Sequence, residues 1–351
     1  MIEFSLEANR AVVDWGLRCP ACQQSLRWQS ATHIRCRGCG SDYPVYQGIP
    51  DFRAARRGFR VSATERERLA VLLDAFPHAS FEELLRLRFS FSKGQLPEPL
   101  WQLHLRHELQ YVEKGHGRRL RIERVLAHQG RQVPPGARWL DIGCGTGTSL
   151  PWLMAGCARG VGVDISLLDL LVGKKFFEER GIAHLGLVCA DATCLPFAQA
   201  TFELVNATDV IEHVVDGQEA FVRQLYRVLR PGGFGYFNSP NRYNLFGPEP
   251  HVQVWFVGFL PRRYMDAYVR RRRGVRYTSV RLLSYWELSR LLRRVCGTHY
   301  AISGPLFDPR LPATSRKARL IKACPWLLPL ANRVAFYVIT DYQVLVHKPH
   351  A

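Results

Sequence analysis

Residues 138–148, RWLDIGCGTGT, constrain this chain more than any other stretch. An apolar run, Trp139-Leu140-Asp141-Ile142, leads into alternating glycines, Gly143, Gly145 and Gly147, and then Ser149-Leu150. The pattern predicts a strand, a glycine-rich turn and a helix. Glycine adopts positive φ and lets the backbone approach a ligand with no Cβ between them. The N–H groups that open the next helix favour a polar or anionic ligand group. Downstream, the spacing predicts a strand at 160–164, a helix at 166–180, strands at 185–190 and 203–208, a helix at 217–229 and a strand at 233–238. Such alternation implies a parallel sheet covered by helices, with ligands at the carboxyl ends of its strands.

The D-x-G-x-G-x-G pattern of Asp141 to Gly147 resembles motif I of class I S-adenosylmethionine (SAM) methyltransferases. A glycine loop alone also fits dinucleotide binding. The residues that follow discriminate. Gly160-Val-Gly-Val-Asp164 ends in an acid about 20 residues past the loop, which suits ribose hydroxyls in either family. Leu187-Val-Cys-Ala-Asp191-Ala192 resembles the methyltransferase motif whose Asp meets the adenine amino group. Leu195-Pro-Phe197, Phe202-Glu-Leu-Val205 and Leu229-Arg-Pro-Gly-Gly233, the last like the turn before the fifth strand, complete the set in order. The Asp191 motif and the Pro-Gly-Gly turn have no place in a nicotinamide-binding chain. The resemblance implies a Rossmann-like α/β fold, a seven-stranded methyltransferase sheet with helices on both faces. It also implies SAM contacts at Asp141, Gly143, Cys144, Gly145, Gly147, Asp164, Ile165, Asp191, Ala192 and Thr208.

A second motif precedes this domain. Cys19-Pro-Ala-Cys22 and Cys36-Arg-Gly-Cys39 are two CxxC knuckles 13 residues apart. Two such turns on facing hairpins supply a closed four-sulfur shell for structural zinc, with no open position for chemistry. With Tyr43-Pro44 and Gly48-Ile-Pro-Asp-Phe52 behind it, the segment resembles the Trm112-like zinc ribbons. The expected organisation is a ribbon at 1–55, a helical linker or cap at 56–133, and the methyltransferase domain at 134–351 with an acceptor-side insertion at about 241–280. Within the linker, helical spacing marks 64–75, 80–89, 103–112 and 120–128. Arg118, Arg119 and Arg121 are either a cation source for the SAM carboxylate or a solvated helix face.

After the fourth strand comes Thr208-Asp-Val-Ile-Glu212-His213. The Glu-His pair resembles ubiquinone-pathway O-methyltransferases. Three roles stay open. His213, with Glu212 beside it, is a candidate general base for a hydroxyl acceptor. Asp209, Glu212 and His213 are candidate ligands for a divalent cation such as Mg2+. Or the pair only holds its helix near the pocket. Asn238, Asn241 and Tyr243, beyond the fifth strand, are candidate acceptor contacts or plain turn residues. In the insertion, Trp255, Phe256 and Phe259 beside Arg262 to Arg273 read as a lid, a core helix with a basic edge, or a membrane-surface contact.

The expected acceptor is a small-molecule or lipid-linked hydroxyl, from secondary-metabolite, quinone or polysaccharide synthesis. Net charge is +18. That charge also suits RNA, and a ribbon ahead of a SAM domain resembles certain ribosomal-RNA guanine methyltransferases. The N-P-P-Y signature for exocyclic amines is absent, which ranks RNA lower. A non-catalytic SAM-binding partner protein is the third class, since free Trm112-like domains activate methyltransferases. No obligate protein partner is expected. No long apolar run or signal-peptide layout marks the chain, and its ten cysteines form no disulfide framework. A cytoplasmic setting is expected, with peripheral contact at the inner membrane face as an option.

Overall fold

A computed structural model describes residues 16–56, 58–92, 102, 105, 106, 108–245, 247–304, 337, 338 and 341–350. The chain divides into two compact units. The first holds Met1–Ala207, Arg223–Gly235 and Lys348–Ala351; the second holds Thr208–Val222 and Tyr236–His347.

The first unit begins with the cysteine-rich segment. Strands β1 (Leu26–Ser30), β2 (His33–Cys36), β3 (Asp42–Tyr46) and β4 (Ile49–Pro50) form an antiparallel sheet in that order. Ile34, Tyr43, Val45, Ile49 and Phe52 are its buried side chains. So small a core needs an added constraint to hold it.

Helices α1 (Ala63–Ala75) and α2 (Phe81–Ser90) follow. Ser62 caps the first, and a Ser80/Glu83 capping box starts the second. The two further helices expected at 103–112 and 120–128 meet at a different point: among the described residues, 102, 105, 106, 108 and 109 are helical, Gln110 is not, and the second helix starts at Tyr111 instead of Leu120. One helix, α3, runs unbroken over Tyr111–His128. Gly115 inside it is a contact point and no break. A Cβ there would meet the Ser149 carbonyl and the Trp152 Cβ, each at 2.6 Å, so only glycine lets this helix lie so close to the following chain.

β5 (Arg138–Ile142) then enters the main sheet, followed by α4 (Leu150–Leu153), β6 (Arg159–Asp164), α5 (Leu167–Glu179), β7 (Leu185–Cys189), β8 (Phe202–Ala207), α6 (Gln218–Val228) and β9 (Leu229–Pro240). β5 pairs in parallel with β6 and β8, and β6 with β7. Their residues are almost all buried, as parallel strands covered on both faces must be. Two expectations are corrected here. The helix after the glycine loop is a single turn, because Pro151 starts it and the Ala155-Gly156 bend, with Gly156 at φ +77°, ends it. It is too short to offer a helix-terminus anion site. The Pro-Gly-Gly sequence lies within β9, not before it. Gly232, at φ +78°, keeps its N–H on the Lys348 carbonyl (2.8 Å), and the Gly233 carbonyl takes the Lys348 N–H (3.1 Å).

In the second unit, the 3-10 turn Ile211–His213 precedes α6, and the insertion forms a 3-10 turn at Val257–Phe259 and helix α7 (Arg262–Arg273). Val254, Val257, Met265, Val269 and Tyr277 make its core. The aromatic segment is therefore split: Val254 and Val257 face in, while Trp255, Phe256 and Phe259 are exposed. Helix α8 (Tyr285–Cys296) carries a Ser284/Glu287 capping box and buries Leu288, Leu292 and Cys296, as its amphipathic spacing predicts. β10 (Tyr300–Ser303) and β11 (Asp341–His347) pair antiparallel. The seven strands take the order β10-β11-β9-β8-β5-β6-β7. The apolar stretch 325–330 lies outside the described residues. Among the described residues no helix is long and apolar enough to cross a membrane.

Candidate active site

The glycine loop folds onto the end of β6. Gly143 and Cys144 both donate to the Val163 carbonyl (2.7 and 3.1 Å), and Gly147 donates to the Cys144 carbonyl (3.0 Å). Gly145 donates to Asp164 Oδ2 (2.8 Å), while Asp164 Oδ1 accepts from Ser166 N (2.8 Å). Gly143, Gly145 and Gly147 all have positive φ. At Gly145 a Cβ would meet nothing within 4 Å, so the loop faces open space where a ligand fits against bare backbone. Asp141, buried beneath, accepts from the Asn206 side-chain amide. Burial pushes both Asp141 and Asp164 up to about 6. Of the linker arginines, Arg119 is occupied: it pairs with Glu123 (2.5 Å), caps the Leu153 and Ala155 carbonyls (3.3 and 3.1 Å) and lies over the Trp139 ring.

Further along, Ile165 is exposed at 45% directly after Asp164, an apolar surface suited to a flat base. Asp191 is buried. Its Oδ1 accepts from the Thr193 N–H (2.7 Å) and hydroxyl (2.5 Å), and its Oδ2 from Arg56 Nη1 (2.6 Å). Ala192 beside it is half-buried. Arg56 does not stand out in the sequence, because its partner lies 135 residues away.

The four knuckle cysteines converge. Cys19 and Cys39 sulfurs are 3.7 Å apart, and those of Cys22 and Cys36 are 3.4 Å apart. Four sulfurs at about 2.3 Å from a zinc ion stand about 3.8 Å from one another, so the set fits that ion. Gly38 and Cys39 direct their N–H groups at Cys36 Sγ (3.3 and 3.5 Å), as a knuckle requires.

The second unit brings together Glu212, His213 and a residue the sequence reading did not select, His251. Glu212 is buried, and its Oε2 has no hydrogen-bond partner. Burial pushes its carboxyl up to about 7. The His213 and His251 rings meet edge to face at 4.9 Å. Burial and the neighbouring His251 hold His213 below the ordinary histidine value, against a hydrogen bond with the Ser279 main chain. For His251 burial works the same way, but Glu249 outweighs it and raises the value. Glu249 Oε1 lies 2.6 Å from His251 Nδ1, and Oε2 accepts the His251 and Val252 N–H groups (2.9 and 2.7 Å). His251 Nε2 stands 3.9 Å from Glu212 Oε1. The signal for His251 was Glu249-Pro250-His251 itself, a turn placing acid and imidazole two residues apart.

Asp209, at φ +59°, exchanges hydrogen bonds with Asn238: its N–H goes to Asn238 Oδ1 (2.7 Å), and Asn238 Nδ2 donates to its Oδ1 (2.6 Å). Asn241 Nδ2 donates to the Tyr337 carbonyl (2.9 Å), and its Oδ1 accepts from Tyr243 N (2.9 Å). Tyr243 packs on Phe259 (5.3 Å between rings). Thr208 is buried in this same unit.

These features resemble those of SAM-dependent methyltransferase domains. A family model described as a methyltransferase domain matches residues 140–237. The chain is 34% identical over 156 residues to a ubiquinone biosynthesis O-methyltransferase of Parvibaculum lavamentivorans, covering 41% of this chain and 58% of that one. It is 34% identical over 132 residues to a demethylmenaquinone methyltransferase of Anoxybacillus flavithermus, covering 37% and 55%. The chain thus spans little more than half the length of these curated relatives. Among solved structures, the phosphoethanolamine N-methyltransferase 2 of Haemonchus contortus in complex with SAM is 18% identical, with 65% of this chain and 52% of that chain covered and a TM-score of 0.42.

Proposed function

We propose that this chain transfers the methyl group of SAM to a hydroxyl of a small, ring-bearing acceptor of the quinone-precursor type, free or lipid-linked. The observation that carries the reading is the cluster of Glu212 and His213, just after the fourth strand, with Glu249 and His251 of the insertion. The names of the curated relatives support the acceptor class.

SAM supplies an activated methyl on a sulfonium, so the protein mainly aligns the reactants and excludes water. The glycine loop and Asp164 hold the amino-acid and ribose side, and Ile165 and Asp191 the adenine. His213 takes the acceptor's proton. Its lowered pKa keeps it neutral near pH 7, the form that accepts a proton. His251, held by Glu249, packs against it edge to face and orients it. Asn241 and Tyr243 border the acceptor. The four knuckle cysteines hold a structural zinc. Mg2+ is not part of the assignment. It prefers oxygen ligands, whereas two of the three converging donors are imidazoles, and Asp209 is engaged by Asn238.

The test is transfer of labelled methyl from SAM into a cell extract, partitioned into RNA, protein and organic-soluble fractions, for wild type and His213→Ala. Label in the organic-soluble fraction is expected. It should fall by about 10²–10⁴-fold in the variant while SAM binding is retained. Label in RNA overturns the acceptor assignment.

A further inference from the structure

Two arginines leave the ribbon just after β4, in and beside the 3-10 turn Arg53–Ala55. Arg53 is fully committed. It is 3% exposed and binds both oxygens of Asp51 (3.0 and 2.8 Å), Glu65 and the Ile165 carbonyl (3.1 Å). Arg56 differs. Its side chain is 51% exposed, yet it reaches a carboxylate that is only 6% exposed, Asp191 Oδ2, at 2.6 Å. Asp191 Oδ1 is already taken by Thr193, so Oδ2 is the oxygen left to face a ligand, and Arg56 sits on it.

The start of this segment is fixed by the ribbon. Phe52 N donates to the Cys189 carbonyl (2.8 Å), one residue beyond an Asp51–Cys189 bridge that continues the sheet edge. The Phe52 ring packs on Tyr43 at 4.8 Å, and the Tyr43 hydroxyl lies 3.1 Å from Cys19 Sγ.

We propose that Arg56 is a positioning residue of the cofactor site: it holds the Asp191 carboxylate in the orientation that receives the exocyclic amino group of adenine. The inference rests on the SAM reading above. A carboxylate oxygen accepts two hydrogen bonds, so Arg56 occupies one lone pair of Oδ2 and leaves the other aimed at the base. Base selectivity in this chain then depends on a residue outside the matched domain, carried by the ribbon's exit segment.

The experiment compares binding of S-adenosylhomocysteine and S-inosylhomocysteine, which bears a carbonyl where adenine has its amino group. Calorimetry on the full, zinc-loaded protein needs no acceptor. Wild type should prefer the adenosyl ligand by about tenfold or more. Arg56→Ala should weaken the adenosyl ligand by about tenfold and the inosyl ligand by less than about twofold, so the preference collapses. Arg56→Lys should restore most of it. Equal weakening of both ligands, or no change in the preference, overturns the role of Arg56. Failure of wild type to bind either ligand would instead remove the cofactor reading itself.

Discussion

Asp141 and Asn206 face each other across the parallel β5–β8 pair, and the Asn206 amide donates to the Asp141 carboxylate in a site sealed from water. The second carboxylate oxygen of Asp141 has no hydrogen-bond partner. The amide is therefore a main support of a buried acid directly beneath the glycine loop. Asn206→Ala should lower unfolding free energy by about 1–3 kcal/mol, measured in urea, because it strips that acid of a donor.

Gly173 in α5 touches the loop from the other side. A Cβ there would stand 1.6 Å from the Thr146 carbonyl oxygen, a main-chain atom that cannot swing away as a side chain does. Gly173→Ala must push helix and loop apart. It should cost about 1–3 kcal/mol or more and weaken SAM binding more than it weakens the fold. Thermal melts with and without SAM separate the two effects.

Zinc content follows from the sulfur geometry. Elemental analysis of the purified chain should find one zinc ion per molecule, absent in a Cys22→Ser/Cys39→Ser double variant. Loss of the ion should melt the ribbon and lower SAM affinity through Phe52 and Arg56, both of which begin on it.

The pH dependence of stability carries a definite sign. Burial raises Asp141 and Asp164 to about 6 and Glu212 to about 7 from ordinary values near 4. The folded state binds protons more tightly than the unfolded one. This stability is complete below about pH 4 and is lost as pH rises through 6 to 7. Glu212→Gln cannot ionise. Its unfolding free energy relative to wild type should rise by about 2–3 kcal/mol between pH 5 and pH 8, measured on ligand-free protein.

The parallel strands and both knuckle pairs were legible because their signals are local. β7 reads as an unbroken apolar run and β5 as an apolar run with Asp141 near its end, and each CxxC is a self-contained turn. The first half of helix α3 was not legible: the spacing ended one helix at 112 and began the next at 120, leaving out the stretch around Gly115. The reason for that glycine, the approach of Ser149 and Trp152, is a tertiary contact. The single-turn α4 shows the opposite failure: the glycine loop promises a helix that Pro151 and Gly156 cut short. In the site, Asp164 and Asp191 stood in recognisable motifs. Arg56 acts on a partner fixed only by folding, 135 residues away, and His251 has a local signal in Glu249 but meets Glu212, 39 residues away, only in the fold.

The measurement that tests the account most directly is titration of SAM into the purified chain, beside Asp164→Ala and Gly145→Val. The account predicts one site on wild type, with a dissociation constant on the order of 1–100 μM. Asp164→Ala should weaken it by about tenfold or more by removing the loop's anchor and the ribose acceptor. Gly145→Val should abolish it by filling the open space above the loop. Absence of binding to wild type, or equal binding by all three proteins, would contradict the assignment of this loop as the SAM cradle.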